Sequence, residues 1–181
     1  KAFQHVASYD TAIAQYLWQG QDGFPAEMTI ALHKQYDLRY GENPHQRAAF
    51  YIEEHPGIKP GLTIGGARLL SGREMSFNNI LDLDSALAVV SDFSAPTAAI
   101  IKHNNPCGLA SHPDLAEAYR RALAGDPVAA FGGVVAVNRP LDIATAREID
   151  KTHYDCLIAP DYDAESLALL RRKKDMRILA L

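Results

Sequence analysis

The stretch Pro96-Thr97-Ala98-Ala99-Ile100-Ile101-Lys102-His103-Asn104-Asn105-Pro106-Cys107-Gly108 decides how the chain reads. Its first six residues form a short apolar run rich in β-branched side chains, the pattern of a buried strand, and Asn104 to Gly108 carries the residue types of a turn. A lysine and a histidine are thus set together at the carboxyl end of a strand, where open α/β sheets bind their ligands. Neighbours in a regular strand point to opposite faces. For both side chains to serve one site the backbone must leave strand geometry here, and the Asn-Pro turn gives it a reason to do so.

Toward the carboxyl terminus the pattern is a steady alternation. A strand over 98–102 precedes a helix over 113–124, which has proline at its start and Gly125 after its end. A strand over 133–137 precedes a helix over 142–151. A strand over 156–159 precedes a helix over 164–174 capped by Asp163, and 177–181 is a last strand. Toward the amino terminus, Ile80, Leu83, Leu87 and Val90 make the stripe of a helix over 78–93, with Ser76 or Asn78 as its cap. Gly65-Gly66 and Ser71-Gly72 break the segment 62–75 and leave room for one short strand. Strands are expected over 28–38 and 48–52, joined by the polar loop Arg39-Tyr40-Gly41-Glu42-Asn43-Pro44-His45-Gln46. Val6, Tyr9, Ile13, Tyr16 and Leu17 stand at helical spacing over 5–18, with Gly20 as the stop. Near-continuous apolar strands alternating with helices predict a three-layer α/β/α fold with a mostly parallel, mixed sheet.

The bulk numbers fit one well-packed domain of 181 residues, 48% hydrophobic and 22% charged. A formal net charge of -4 argues against a general binder of nucleic acid or membrane surfaces, while leaving room for a local basic pocket. Cys107 and Cys156 are too few for a disulfide framework and lack the spacing of a zinc site, so two reduced cytosolic thiols are the simpler reading. There is no apolar stretch of membrane-spanning length, no signal-peptide pattern and no internal repeat. The start at Lys1 and the stop at Leu181 inside an apolar run read as those of a piece of something longer, and the chemistry of the whole reads as cytoplasmic.

Several residues could carry chemistry. His103 beside a fixed ammonium has the makings of a general base, and Lys102 could stabilise negative charge developing on a carbonyl oxygen. The plainer reading is a solvated lysine and a hydrogen-bonded histidine. Arg39 offers a planar fork suited to phosphate and Tyr40 a hydroxyl donor, with Gly41 permitting close approach; an ordinary polar turn would look the same. Phe131-Gly132-Gly133 could flank a planar ring or simply turn the chain. Asn79 could cap a helix or read heteroatoms of a ligand. Asp155 could accept hydrogen bonds from a ribose or sit idle at a strand entry. Arg171-Arg172-Lys173-Lys174 reads as a solvated helix end that favours the dipole. No P-loop motif is present.

Four motifs in order give the set its specificity: Arg39 to Gln46, Ser76-Phe77-Asn78-Asn79-Ile80-Leu81-Asp82, Ile101 to Gly108, and Ala130-Phe131-Gly132-Gly133. With Asp155-Cys156-Leu157-Ile158-Ala159-Pro160 as a fifth, the chain closely resembles the bifunctional purine biosynthesis enzymes of the bacterial type, AICAR formyltransferase / IMP cyclohydrolase. The resemblance implies a cytidine-deaminase-like fold, with 1–26 as a connecting helix and linker and 27–181 as the first half of the formyltransferase domain. The cyclohydrolase domain and the second half would lie outside this chain. It implies transfer of a formyl group from the co-substrate 10-formyltetrahydrofolate to the 5-amino group of the AICAR nucleotide, in an enzyme that forms homodimers. By the same resemblance His103 is the general base and Lys102 the transition-state stabiliser. Arg39 and Tyr40 match the pair that holds the nucleotide, Gly132 and Asp155 match further nucleotide contacts, and Asn79 matches a residue near the carboxamide. Ala129 stands where relatives often have Ser, and Asn104 where Ala is common; neither position has an assigned role.

Two other readings compete. A zinc nucleoside deaminase shares the fold class but needs H-x-E or C-x-E followed by P-C-x-x-C, and Pro106-Cys107 is followed by Ala110 where the second cysteine belongs. No metal ligand set is therefore expected. The other alternative is an isolated nucleotide-binding fragment without catalytic activity.

Overall fold

A computed structural model describes residues 1–53 and 63–181. These form two compact units: the described residues of Lys1–Asp37 with Ala49–Gly61, and those of Leu38–Ala48 with Leu62–Leu181.

In the first unit, helix α1 spans Ala2–Trp18 and is followed by Gly20 in left-handed backbone at φ 80°. The helix starts three residues before the apolar spacing suggests. Its stripe is present but not buried: Val6, Tyr9, Ile13, Tyr16 and Leu17 are all exposed, and the buried residue of α1 is Thr11, whose hydroxyl donates to the Ala7 carbonyl at 2.8 Å. Strands β1 (Leu32–Leu38) and β2 (Ala48–Glu53) form a two-stranded sheet, with the Tyr36 and Phe50 rings 5.5 Å apart. β1 begins four residues later than its alternation suggests. Of the segment expected to hold one short strand, Leu62 lies outside the described residues, and the strand is β3 (Arg68–Ser71).

The second unit is built on a six-stranded sheet. Its further strands are β4 (Thr97–Lys102), β5 (Asn105–Ser111), β6 (Val134–Val137), β7 (Cys156–Ala159) and β8 (Arg177–Ala180). The helices are α2 (Phe77–Ser91), α3 (Leu115–Gly125), α4 (Ile143–Asp150) and α5 (Ala164–Leu170). Spatial order is β3-β8-β7-β6-β4-β5. The apolar strands are apolar on both faces because both are covered. Ile100, Val135, Leu157 and Ile178 pack on one face with Tyr119 of α3 and Ile149 of α4, and Leu170 of α5 belongs to the same cluster. The alternate residues Ala99, Ile101, Val134 and Ala136 are equally buried, on the face where α2 lies across β4 and β6 with Leu83, Ala86, Leu87 and Val90 inward. Burial of each large side chain of this kind stabilises by about 1.5–3 kcal/mol. The result is the expected three layers.

The sheet is mixed, and four of its six strands run the same way. Parallel ladders are confined to β6–β7 and β7–β8; β4 runs antiparallel to both β5 and β6, and β3 runs antiparallel to β8. The strand expected to feed a helix instead turns back at once. Asn105–Ser111, where a turn was expected to begin at Asn104, is the edge strand β5, and the turn is the two-residue His103-Asn104 pair at φ 51° and 64°. That is the backbone of a type I′ hairpin, whose twist matches its strands. Pro106 survives in β5 because an edge strand tolerates a missing N–H, and the register slips beside it, between Ile100 and Ile101.

Two further departures are local. α5 stops at Leu170, before Arg171–Lys174, and Asp163 makes no side-chain capping bond. The basic run is occupied by tertiary contacts: Arg171 donates to the Leu70 carbonyl at 3.3 Å and Lys173 to that of Thr152 at 2.7 Å. In the core, the Tyr119 and Tyr154 hydroxyls share a 2.8 Å hydrogen bond, and burial pushes both phenols above their ordinary range. This anchors the residue between His153 and Asp155.

Gly108 marks the closest approach of β5 to α3. A Cβ there would stand 1.8 Å from the Ala122 carbonyl oxygen, a backbone atom that cannot step aside. Gly108→Ala is expected to cost about 3 kcal/mol or more, the upper end of overpacking. Chemical denaturation of the chain and the variant measures it; equal midpoints would show that the two elements separate freely.

Candidate functional site

Because β4 is antiparallel to β6, its carboxyl end lies beside the amino ends of β6 and β7. The site therefore sits at the edge opposite to the one that the strand-end rule for parallel sheets selects. At this edge the Lys102 ammonium donates to the Phe131 carbonyl at 2.7 Å. No carboxylate among the described residues pairs with it. One of its three donors is held by a neutral acceptor, so the charge and the other two donors remain available to an anion.

Phe131 leads into Gly132, whose φ of 73° requires glycine on conformational grounds, since a Cβ would meet nothing within 4 Å. The Gly132 N–H donates to the His153 carbonyl at 2.8 Å, and the Asp155 N–H donates to the Gly133 carbonyl at 2.9 Å. Lys102, Gly132 and Asp155 are thereby brought together. His153, which the sequence reading passed over, belongs with them: its ring lies 5.2 Å from that of Phe131, and its Nε2 is 3.8 Å from Asp155 Oδ1. A histidine two residues before Asp155 at the same strand entry was the available signal.

His103 is carried away from the strand by the turn, and its ring makes no hydrogen bond among the described residues. The turn itself is held firmly. The Asn104 N–H donates to Asp82 Oδ1 at 2.7 Å, Ser85 hydrogen-bonds Asn104 Oδ1, and the Asn105 amide donates to the His103 carbonyl at 2.9 Å. Residues outside glycine held in sparsely populated backbone regions cost about 1–3 kcal/mol each. A hydrogen bond to a charged group contributes about 1.5–3 kcal/mol, less where it is exposed, so the Asp82 contact is of the size needed to hold the turn.

Arg39 and Tyr40 form a second group. The Arg39 N–H donates to the Met75 carbonyl at 2.8 Å, and the Phe77 N–H donates to that of Tyr40 at 3.2 Å. The loop is thus zipped to the amino end of α2, with the Asn78 amide donating to the Glu42 carbonyl at 3.2 Å. The Arg39 guanidinium sits 5.5 Å over the Tyr40 ring. Asn79 closes a capping box: Ser76 Oγ accepts its N–H at 3.3 Å, while its Oδ1 accepts the Ser76 N–H at 3.1 Å. The capping reading therefore holds for its oxygen, and its NH₂ is the part left to face a ligand. The two groups share an edge: Glu74, next to Met75, takes the buried Arg177 guanidinium on its carbonyl at 2.9 Å, and the Arg177 backbone N–H donates to the Asp155 carbonyl at 3.0 Å.

The chemistry on offer is an imidazole, an ammonium with no carboxylate partner among the described residues, and an arginine beside a helix amino terminus, a place suited to phosphate. A thiolate is not on offer. Burial raises the Cys107 thiol, with Asp126 adding to this and Lys102 opposing it, and Cys156 is raised further by burial. Among the described residues no group of three or more His, Cys, Asp or Glu could hold a metal, and no helix is long and apolar enough to cross a membrane.

Comparison with known proteins bears on this geometry. Residues 1–181 match the model of the AICARFT/IMPCHase bienzyme family. A bifunctional purine biosynthesis protein, PurH, of Myxococcus xanthus is 50% identical over 99% of this chain and 35% of its own length. Proteins of the same name from Caldicellulosiruptor saccharolyticus and Oceanobacillus iheyensis are 46% and 43% identical over 100% of the chain, which covers 36% and 35% of them. The chain spans about a third of the length of these relatives.

Proposed function

The chain belongs to the AICARFT/IMPCHase bienzyme family, and from that premise we propose that it carries the first half of a formyltransferase site, with Lys102 and His103 as its reacting pair. The substrates in this reading are the AICAR nucleotide and 10-formyltetrahydrofolate. The amine of AICAR is a poor nucleophile because its lone pair is delocalised into the ring and carboxamide. As its nitrogen bonds to the formyl carbon, His103 removes the amine proton and Lys102 stabilises the oxygen that becomes negative. Collapse of the tetrahedral intermediate breaks the bond to the folate nitrogen, which leaves with a proton. Arg39 and Tyr40 hold the phosphate end, Gly132 and Asp155 contact the ribose or base, and the Asn79 amide faces the carboxamide.

The observation that carries the reading is the Lys102 ammonium, fixed on the Phe131 carbonyl with no carboxylate partner among the described residues, one residue from a histidine ring that makes no hydrogen bond among them. In this reading residues 27–181 form half of a formyltransferase domain of cytidine-deaminase-like fold, and 1–26 connect it to a cyclohydrolase domain outside the chain. The exposed apolar face of α1 is consistent with the homodimer of a cytoplasmic enzyme. Incubating AICAR and 10-formyltetrahydrofolate with the full-length protein and with this chain alone tests the proposal. Formyl-AICAR is expected from the full-length protein only. No product from the former would overturn the assignment, and turnover by the latter would overturn the need for a second half.

A further inference from the structure

The β4–β5 ladder accounts for the residues flanking the hairpin turn, Lys102 and Asn105, but not for the N–H of Asn104, the second turn residue. That donor is taken by Asp82, 22 positions earlier on α2. We propose that Asp82 is a positioning residue for the transfer reaction: its carboxylate, carried on α2, accepts the Asn104 N–H and thereby sets where the neighbouring His103 ring is delivered.

Three observations support this. Asp82 has no substrate-facing role in the reading above, yet it makes a 2.7 Å contact with the turn that bears the base. Ser85, three residues on and so on the same side of the helix, binds the side chain of the same Asn104, so α2 grips the turn at two points. Neither contact touches the imidazole, which is therefore oriented through its backbone and left free to accept a proton. α2 is itself a rigid support, pinned to the sheet by the fully buried Leu83, Ala86 and Val90. Its amino end holds the Arg39–Tyr40 loop and its middle holds the His103 turn. One element thus fixes the spacing between the group that grips the nucleotide and the group that removes the proton. Such placement is where small displacements have large effects on rate.

The inference rests on the formyltransferase reading, and one experiment separates their failures. Asp82→Ala, Asp82→Asn and His103→Ala are made in the full-length enzyme, and kcat, the KM for AICAR and the thermal midpoint are measured. Asp82→Ala is expected to lower kcat by about 10- to 100-fold with KM close to wild type, as loss of positioning requires. Asp82→Asn, whose amide oxygen can accept the same N–H, is expected to retain most of the rate. Wild-type kcat in Asp82→Ala, or a loss in Asp82→Asn as deep as in Asp82→Ala, would overturn the positioning role. So would a fall in kcat accompanied by a rise in KM and a lowered midpoint, the mark of a purely structural residue. Wild-type turnover by His103→Ala would overturn the formyltransferase reading and this inference with it. An inactive His103→Ala beside a fully active Asp82→Ala overturns the inference alone.

Discussion

Replacing Lys102 by alanine in the full-length enzyme is expected to slow formyl transfer by about 100-fold or more, the loss seen when one oxyanion-stabilising donor is removed. The size follows from how the ammonium is held. A surface lysine paired with a carboxylate would already have its charge compensated, and its removal would change little. Lys102 instead rests on a neutral carbonyl at 2.7 Å, which fixes its position without neutralising it. In the proposed reaction it meets an oxygen that gains negative charge only as the intermediate forms, so kcat should fall more than the affinity for AICAR. Steady-state kinetics with both substrates varied measures this, and a rate near wild type would remove Lys102 from the mechanism. Lys102→Arg tests position separately: it keeps the charge, but its planar fork cannot reproduce a point ammonium on the Phe131 carbonyl, and it should stay well below wild type.

His103→Ala should be more damaging still. In the proposed reaction the base takes the proton of the attacking amine, and His103 is the histidine next to Lys102 in the chain. His153 lies beyond Phe131, with its ring against that of the phenylalanine and its Nε2 toward Asp155. Those contacts direct its ring toward Phe131 and Asp155. Turnover is expected to be abolished while AICAR still binds, because Arg39 and Tyr40 are held by Met75 and Phe77 and not by the hairpin. Isothermal titration with AICAR checks the second half of the statement. Lost binding in this variant would place His103 in nucleotide recognition.

Much of the fold could be read directly from residue patterns, and the exceptions have physical causes. Cys156–Ala159 was legible to the residue because a fully apolar run lies between the polar Asp155 and the strand-breaking Pro160. α2 was legible because its buried stripe recurs at helical spacing behind a Ser76 cap. β5 was not, because Asn105, Pro106 and Gly108 are turn residues. What makes it a strand is pairing with β4, an edge location that excuses the proline, and α3 pressed against Gly108. α5 ends early because Arg171 to Lys174 offer no apolar position to bury.

The candidate site follows the same division. Lys102 and His103 stood out because two charged or titratable groups ended a buried run. The strand-end argument that drew attention to them belongs to parallel strands, and β4 is antiparallel to its neighbour β6. Lys102 ends β4, and His103 is delivered by the left-handed His103-Asn104 turn, a geometry that histidine and asparagine adopt more readily than most residues. Asp82 could not be found in this way. Its partner is a backbone N–H 22 residues along the chain, and a backbone donor leaves no residue signature.

The central claim is that His103, delivered by this turn, removes the proton of the attacking amine. Its most direct test is the single-turnover rate of formyl transfer by His103→Ala full-length enzyme, saturated with AICAR and 10-formyltetrahydrofolate. The account predicts a rate lower by a factor of about 10,000, the upper end of the span assigned to a positioned general base, with AICAR still bound. A single-turnover rate equal to that of the wild-type enzyme would contradict it.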